Sequence, residues 1–420
     1  MPVSYSARAR TFADVLRKAN NMTDVRELAL RNILKEIAVE QKYEDPGIQT
    51  SAIPTTGSNF TSQLFYATIK SAEKQDINVF AKVAVVAEKL REEVKTFTIF
   101  DIERHFYTKL MKTYKEIEDK HNIPEEHRLV IPKYYGGSND YLKEVVVLQD
   151  LSKDGFITYD RLKSIDWEYA STAVEELAKL HALSIAYQKE YPEDYEAAKG
   201  VLKRPMMGDD HPITIMLKQT LSKTAQMVRK ENRAKLEKFF SETFCFEQFK
   251  KFYEPIKRPV IIHSDFRQSN LMHKIDEDGK VQVVIVDYQS LHPGPAANDL
   301  LYFIFTGSDG AFRAKYFDRL IDHYYEHMAA ALRRLDLDPE EAFPRDIFDQ
   351  ELKQMLPFGL LIAGFLLPMI TADTADVSKD GEAFENESFE TMAELMGKSN
   401  DLSTRRLNEV VDDYVKWGIL

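Results

Sequence analysis

The segment VIIHSDFRQSN at residues 260–270, followed by VIVDYQ at residues 284–289, is the most informative part of the sequence for the fold. The first segment is a short apolar run, typical of a buried strand, that leads into the pattern H-x-D-x₄-N at His263, Asp265 and Asn270. The second apolar run ends in Asp287, and the turn DEDG at residues 276–279 separates the two. The pattern predicts a tight β-hairpin that brings Asn270 and Asp287 together.

Phosphoryl transfer accounts for each of these polar residues. An alcohol that attacks a phosphate needs a carboxylate to orient its hydroxyl and accept its proton, and Asp265 is the predicted catalytic base. Mg²⁺ prefers oxygen ligands, so Asn270 and Asp287 are the predicted magnesium ligands, while His263 is predicted to brace the loop. Aspartate and asparagine are also common turn residues, so a chance match remains the alternative. The second aspartate, at a strand end, argues against it.

A phosphoryl-transfer enzyme of this type also needs a lysine on a strand and a helical carboxylate that positions it. Lys82 is the one charge inside the apolar run VFAKVAVV at residues 79–86, and a buried charge is costly unless it is paired. Glu103, on the following predicted helix, is its expected partner, with Asp101 and Glu92 as competitors. A lysine that reaches solvent from an edge strand is the alternative.

Two further segments are candidates for nucleotide binding. Gly57, Ser58 and Asn59 precede a predicted strand and are expected to cover the phosphates through backbone N–H groups, although an ordinary turn explains the same residues. Gln149 and Leu151 lie where the β-rich part ends, and we expect the backbone there to contact the edge of adenine. Any junction between a strand and a linker has a similar appearance.

Other polar and apolar features are interpreted as core. His181, on a helix with apolar spacing, is predicted to be a packed histidine rather than a catalyst. The aromatic run at residues 302–305 is predicted core, with a hydrophobic acceptor pocket as the alternative. No residue from 354 to 372 is charged. The prolines and glycines in that run favour a buried helix over a membrane span, with a pocket wall as a further possibility.

Composition and charge limit the possible partners, cysteine-based sites and cellular location of the protein. The chain has 420 residues and a formal net charge of −12, which disfavours a nucleic-acid partner because phosphate-backbone binding requires a basic surface. The single cysteine, Cys245, excludes an internal disulfide and a cysteine-based zinc cage. The first residues lack the apolar core of a secretory signal. We therefore expect a cytoplasmic protein without a membrane span, and no protein partner is evident.

The distribution of strand-like and helical patterns along the sequence predicts an α+β fold with two lobes. Residues 1–45 are predicted to form a helical extension, and residues 46–150 a small β-rich lobe with one embedded helix. The predicted strands of this lobe are residues 60–70, 77–87, 129–135 and 144–150, and residues 136–139 are predicted to form a turn between the last two. Residues 151–420 are predicted to form a larger lobe that is mainly helical and contains the catalytic loop, the metal ligands and the substrate site.

The chain resembles the ecdysteroid kinase-like family of arthropods, the CHK kinase-like relatives of choline kinases and aminoglycoside phosphotransferases. The resemblance rests on the motifs GSNF (57–60), FAKV (80–83), ERHFY (103–107), VLQDL (147–151), LAKLHALS (177–184), HSDFRQSN (263–270), VDYQ (286–289) and NDLLYFIF (298–305). It implies a bilobal protein-kinase-like fold and ATP- and Mg²⁺-dependent phosphorylation of a small-molecule hydroxyl. It also implies that Lys82 and Glu103 hold the nucleotide phosphates and that Asp299 braces the catalytic loop.

Three residues depart from the family pattern. Ser264 replaces the glycine of the usual H-G-D, which restricts the loop backbone. Arg267 stands where tryptophan is frequent, and an arginine there is suited to contact the transferring phosphate or an anionic acceptor. Gln149 replaces a glutamate, a change that leaves backbone contacts to adenine possible. None of the three removes a predicted metal ligand or the base.

The predicted function is phosphorylation of a mostly apolar alcohol, with an ecdysteroid-like steroid as the leading acceptor and dietary or xenobiotic alcohols as another. A choline or ethanolamine kinase is an alternative, but the sequence has no localised cage for an ammonium group. A catalytically silent pseudokinase that binds small molecules is the alternative from another class. A protein acceptor is disfavoured because HPGP at residues 292–295 follows Asp287 almost at once, with no activation-loop motif.

Overall fold

The computed structural model describes residues 26–53, 62–84, 98–141, 143–203, 208–372 and 400–420, which form two compact units. The first unit contains a five-stranded antiparallel sheet, and the second is mainly helical. This division into a β-rich N-terminal part and a helical remainder confirms the predicted α+β class.

The sheet of the first unit has the strand order β1-β2-β3-β5-β4. Its strands are β1 (Gly47–Ile53), β2 (Ser62–Lys70), β3 (Ile77–Ala84), β4 (Tyr134–Ser138) and β5 (Val145–Gln149). Alternate residues of the central strand β3, namely Val79, Ala81 and Val83, are buried in one core cluster with Leu30 and Leu34 of helix α1 (residues 26–40). Because successive side chains of a strand point to opposite faces, Lys82 lies on the face of β3 opposite this cluster.

The second unit is built from helices and short strands. Its helices are α2 (Thr98–His105), α3 (Met111–Lys120), α4 (Trp167–Glu190), α5 (Pro192–Val201), α6 (Pro212–Ala225), α7 (Lys230–Thr243), α8 (Phe246–Lys251), α9 (Ala296–Gly307), α10 (Gly310–Arg334), α11 (Pro339–Ala342), α12 (Arg345–Ile370) and α13 (Asp401–Lys416). Its strands are β6 (Ile157–Thr158), β7 (Val260–Ile262), β8 (Leu271–Ile275), β9 (Val281–Ile285) and β10 (His292–Gly294). Strands β6, β8 and β9 form one small sheet, and β7 pairs with β10.

Helix α12 contains the uncharged segment and lies in the core of the second unit. The helical segment Pro339–Ile370 is long and apolar enough to cross a membrane, but 67% of its apolar window is buried inside the protein. A Cβ atom at Gly359 would lie 2.6 Å from both the Phe305 ring and the Tyr414 hydroxyl oxygen. Glycine is therefore required for the close packing of α12 against α9 and α13. The predicted buried helix is confirmed.

The observed strands differ from the predicted ones in two places. Gly136, Gly137 and Ser138, interpreted as a turn, belong to β4. A Cβ atom at Gly137 would lie 2.2 Å from the Val145 carbonyl oxygen, so the glycine permits close approach to β5 rather than chain reversal. Strand β1 was not predicted, because its half-exposed residues, typical of an edge strand, carry no strong apolar alternation.

The two units also divide the chain differently from the predicted lobes. Helix α1, whose residues fall in the predicted N-terminal extension, packs into the core of the sheet and belongs to the first unit. Residues 98–132, including α2 and α3, belong to the second unit although the β-rich lobe was predicted to run from 46 to 150. Aromatic stacking explains the second difference, because Phe106 stacks on Tyr288 at a ring-centroid distance of 3.7 Å.

Candidate active site

The predicted catalytic loop connects β7 to β8. The three residues of β7 are fully buried and pair with β10, which anchors the start of the loop. Ser264 then adopts φ +65°, in the left-handed region that favours glycine, and this turn directs the chain into residues 265–267. A short 3₁₀ turn, Gln268–Asn270, leads into β8. The serine therefore holds the backbone conformation for which glycine is the usual residue.

The carboxylate of Asp265 receives hydrogen bonds on both oxygen atoms. Oδ1 accepts from the Tyr302 hydroxyl at 2.6 Å and from Arg267 Nε at 2.9 Å. Oδ2 accepts from Asn270 Nδ2 at 2.7 Å. The side chain is 18% exposed, so three donors hold one orientation of the carboxylate while part of it remains accessible.

Arg267 forms an ion pair with Asp265 in a nearly closed environment, with its side chain 13% exposed. Burial alone lowers the pKa of Arg267, but the charge of Asp265 and the hydrogen bond to it outweigh burial and raise the pKa. The arginine thus carries a permanent positive charge beside the predicted base. This contact differs from the phosphate or acceptor contact that the sequence suggested, although one guanidinium has donors for both.

The backbone of the loop is held by Asp299 on α9. Its Oδ2 accepts from the His263 backbone N–H, and its Oδ1 accepts from the Ser264 backbone N–H, each at 2.7 Å. Burial opposes the charge of Asp299, but the hydrogen bond from His181 and the neighbouring histidines hold the pKa of the carboxyl below its ordinary value. The role that the resemblance implied for Asp299, bracing the loop, matches this geometry.

Two histidines complete the support of the loop. His181 is fully buried and lies between Asp299 Oδ2, 3.2 Å from its Nε2, and the Tyr324 hydroxyl, 2.7 Å from its Nδ1. The Asp299 carboxylate can only accept a hydrogen bond, so the imidazole hydrogen that faces it lies on Nε2, and the Tyr324 hydroxyl is the partner of Nδ1. His263 Nε2 donates to the Val286 carbonyl at 3.0 Å. His181 is thus the packed histidine that the sequence predicts, with a positioning contact to Asp299.

Asn270 and Asp287 occupy the same end of the β8–β9 hairpin. The ladder pairs Leu271 with Ile285 and continues by one bond, from the Val286 N–H to the Asn270 carbonyl at 2.9 Å. Asp287 follows this pair at once and has φ +70°, which ends the strand. The Asn270 amide nitrogen donates to both the backbone oxygen and Oδ2 of Asp265, so its Oδ1 is the side-chain atom that can still accept from or bind a ligand.

Glu103 belongs to the surroundings of Asp287. It is 1% exposed on α2. Burial first, and then the charges of Glu103, Tyr288 and Asp287, raise the pKa of Tyr107 well above its ordinary value. Both carboxylates, Glu103 and Asp287, are therefore close enough to Tyr107 to affect its pKa. Lys82 lies in the first unit, 6% exposed, opposite Leu64 and Val146 in the sheet.

The remaining nucleotide candidates differ in how they are placed. Gly57, Ser58 and Asn59 lie outside the described residues. Gln149 ends β5, and its side-chain Oε1 accepts from the Lys133 backbone N–H at 3.2 Å. Leu151, in the second unit, is buried in a small apolar cluster with Phe156 and Val284, against which Met272 and Val286 pack.

Tyr302 is the site residue that sequence reasoning missed, since it was assigned to plain core. Its ring is buried in the core, and only its hydroxyl reaches Asp265. Asp299 and Tyr302 are three residues apart on α9 and therefore share one face of the helix. The three-residue spacing from Asp299, whose bracing role the resemblance implied, is the signal that could have identified Tyr302.

The ecdysteroid kinase-like family model matches residues 56–337, about two thirds of the chain. A comparison with curated proteins found no match. Among solved structures, an ethanolamine kinase from Plasmodium vivax is 12% identical, with 86% of this chain and 81% of that chain covered and a TM-score of 0.42. A complex of APH(2″)-IIIa with GDP and kanamycin is 10% identical, with 84% and 97% covered and a TM-score of 0.43. Similarities this weak assign neither a substrate nor a nucleotide.

Proposed function

We propose that this chain, which belongs to the ecdysteroid kinase-like family, transfers the γ-phosphate of ATP to the hydroxyl of a small, mostly apolar alcohol. Membership in the family supports the coarser statement, a small-molecule phosphotransferase. The donor, the cofactor and the acceptor are the parts that we propose.

The observation that carries the proposal is the position of Asp265. Its carboxylate is oriented by Tyr302, Arg267 and Asn270, in a loop whose backbone N–H groups are held by a second, fully buried carboxylate. An aspartate that only forms a turn does not require side chains from two helices, α4 and α9, to fix its position. A general base does, because proton transfer depends on the base being within hydrogen-bond reach of the hydroxyl.

In the proposed reaction, the acceptor hydroxyl lies against Asp265. A bond forms between the hydroxyl oxygen and the γ-phosphorus while the bond from that phosphorus to the bridging oxygen of ADP breaks, and the hydroxyl proton passes to Asp265. The products are ADP and the phosphorylated alcohol. Arg267 keeps a positive charge next to the base, where it is suited to stabilise negative charge on the transferring group.

The donor set at the end of the β8–β9 hairpin fits magnesium. Asn270 offers Oδ1, since both contacts of its amide nitrogen are made to Asp265, and Asp287 offers a carboxylate. Hard cations such as Mg²⁺ take oxygen ligands of these two types. When bound, the ion would neutralise charge on the nucleotide phosphates.

For the nucleotide, we propose that Lys82 holds the phosphates, that Glu103 positions this lysine, and that Gly57, Ser58 and Asn59 cover the phosphates. The sequence pattern supports this, because Lys82 is a single charge within an apolar strand and such a charge is costly unless it is paired. We propose that backbone groups near Gln149 and Leu151 contact the edge of the adenine.

The second unit contains a cavity of small-molecule size beside its apolar core. The cavity has a volume of about 370 Å³ and is lined by the polar residues Lys218, Ser222, Glu237 and Ser241 and by the apolar residues Leu221, Phe240 and Phe244. These three residues belong to the same core cluster as Tyr302, whose hydroxyl contacts the base. The volume lies within the range of small-molecule sites, about 300–1,000 Å³. Family membership, rather than the lining of this cavity, favours a steroid-like alcohol as the acceptor.

The proposal is tested with purified protein, Mg²⁺, labelled ATP and a panel of ecdysteroids, other apolar alcohols, choline and ethanolamine. A labelled product from an apolar alcohol is the expected result. Product from choline or ethanolamine alone would refute the acceptor class but retain the reaction. Absence of ATP binding would refute the kinase function. We also propose a cytoplasmic reaction, where ATP and Mg²⁺ are available, which immunolocalisation would check.

A further inference from the structure

In the second unit, away from the residues assigned to phosphate transfer, three side chains of types that commonly bind metal ions lie close to one another. They are Glu175 on α4 and His323 and His327 on α10. His323 Nε2 lies 2.8 Å from Glu175 Oε1, and His327 Nε2 lies 3.6 Å from the same oxygen. One ligand atom from each residue lies within 4.8 Å of the other two.

The local helical geometry explains why these atoms meet. His323 and His327 are four residues apart, so they lie one above the other on the same face of α10. Their ring centroids are 4.4 Å apart. Glu175 approaches from the neighbouring helix α4 and is shared by both rings. The Trp167 ring packs edge-on against His323 at 5.6 Å and limits the orientations of that imidazole.

The spacing agrees with the coordination geometry of zinc. Two ligand atoms at about 2.0–2.1 Å from a tetrahedral ion are separated by about 3.3 Å. The two observed nitrogen–oxygen distances, 2.8 and 3.6 Å, lie on either side of this value. The third separation, between the two imidazole ligand atoms, is below 4.8 Å, so side-chain rotations are needed to bring all three atoms around one ion. The side chains are 22–41% exposed, so an ion can enter and a water molecule can occupy the fourth position.

We propose that Glu175, His323 and His327 form a binding site for a divalent cation of the zinc class. Two imidazoles and one carboxylate are a known ligand set for zinc, and imidazole ligands favour zinc over the magnesium used in phosphate transfer. The site is thus chemically distinct from Asn270 and Asp287, which offer oxygen atoms only.

The site lies between the two helices, α4 and α10, that support the catalytic loop through their buried residues. Helix α4 carries Glu175 and His181, while α10 carries His323 and Tyr324. On the buried side of these helices, His181 joins Tyr324 to Asp299, which holds the catalytic loop. A zinc ion on the other side would cross-link the same two helices. Zinc binding is therefore expected to stabilise the support of the loop.

The experiment measures zinc binding to full-length, chelator-treated protein by competition with a fluorescent zinc indicator. Wild type is expected to bind one zinc ion, and the isosteric variant Glu175→Gln and the ring-removing variant His327→Gln are each expected to bind it at least about tenfold more weakly. His211→Gln, which removes a histidine elsewhere in the unit, is the matched control. Asp287→Ala excludes binding at the predicted magnesium site, and both controls should bind zinc like wild type.

Thermal unfolding gives a second, independent measurement. Zinc should raise the melting temperature of wild type but not that of Glu175→Gln or His327→Gln, since an ion that binds only the folded state stabilises it. Equal melting temperatures of all variants without zinc would show that they fold. Failure of wild type to bind zinc, or equal binding by a Glu175→Gln/His327→Gln double variant, would overturn the proposal and leave an ordinary ion pair. Neither result depends on kinase activity.

Discussion

The sharpest prediction concerns Tyr302, which was not recognised as a site residue from the sequence. Its hydroxyl donates to Asp265 Oδ1 over 2.6 Å, and its ring is 8% exposed. The substitution Tyr302→Phe removes this one donor and leaves the ring in place. Any loss of activity would therefore report on the hydrogen bond rather than on a cavity in the core.

The expected effect follows from the number of donors on the carboxylate. A hydrogen bond to a charged group contributes about 1.5–3 kcal/mol. Arg267 donates to the same oxygen, so part of the orientation is retained and the lower end of that range applies. A loss of about 1.5 kcal/mol in the transition state corresponds to a fall of roughly tenfold in kcat. The KM for ATP should stay within about twofold, because Tyr302 has no proposed contact with the nucleotide.

Tyr288→Phe is the matched control. Tyr288 is also buried, directly follows Asp287, and has a hydroxyl with no hydrogen-bond partner among the described residues. Steady-state kinetics with the acceptor identified by the panel should show wild-type kcat for Tyr288→Phe and the tenfold loss only for Tyr302→Phe. Equal kcat values for wild type and Tyr302→Phe would refute the assigned role of the hydroxyl.

Three further predictions test the support of the loop and the core. Asp299→Asn leaves one loop N–H without an acceptor, so we expect a loss of about 2 kcal/mol in urea unfolding and a lower kcat; unchanged stability would contradict the brace. Ser264→Gly relieves a left-handed serine and should stabilise the protein by about 0.5 kcal/mol, whereas a loss above about 1 kcal/mol would show that the serine is required. Burial raises the pKa of Glu351 to about 7 from an ordinary 4.5, so the folded state binds the extra proton and stability falls as pH rises through 7. Wild type should lose about 1 kcal/mol between pH 6 and pH 8 in urea unfolding, Glu351→Gln should lose much less, and identical pH profiles would disprove this assignment.

The hairpin was predictable from the sequence because its determinants are local. The apolar runs, the DEDG turn and the positions of Asn270 and Asp287 all fall within 30 residues, and the β8–β9 register follows from them. Asp265 was identified in the same way. The roles of these residues in catalysis stay predictions until they are tested by substitution.

The long-range contacts were not predictable in this way. The Tyr302 hydroxyl reaches a residue 37 positions away, and His181 meets Tyr324 across 143 positions. In both cases the partner is set by helix packing, for which one sequence holds no spacing rule. Gly137 misled for a related reason, because the close approach of a neighbouring strand and a turn both call for glycine.

The central claim, that Asp265 is the base of a phosphotransferase, is tested most directly by single-turnover transfer with Asp265→Asn, with ATP binding measured in parallel. Asparagine keeps the size of the side chain but cannot accept the proton in the same way. We predict ATP binding within about twofold of wild type and transfer slowed at least about 100-fold, the lower bound for loss of a general base. Transfer at the wild-type rate would contradict the account.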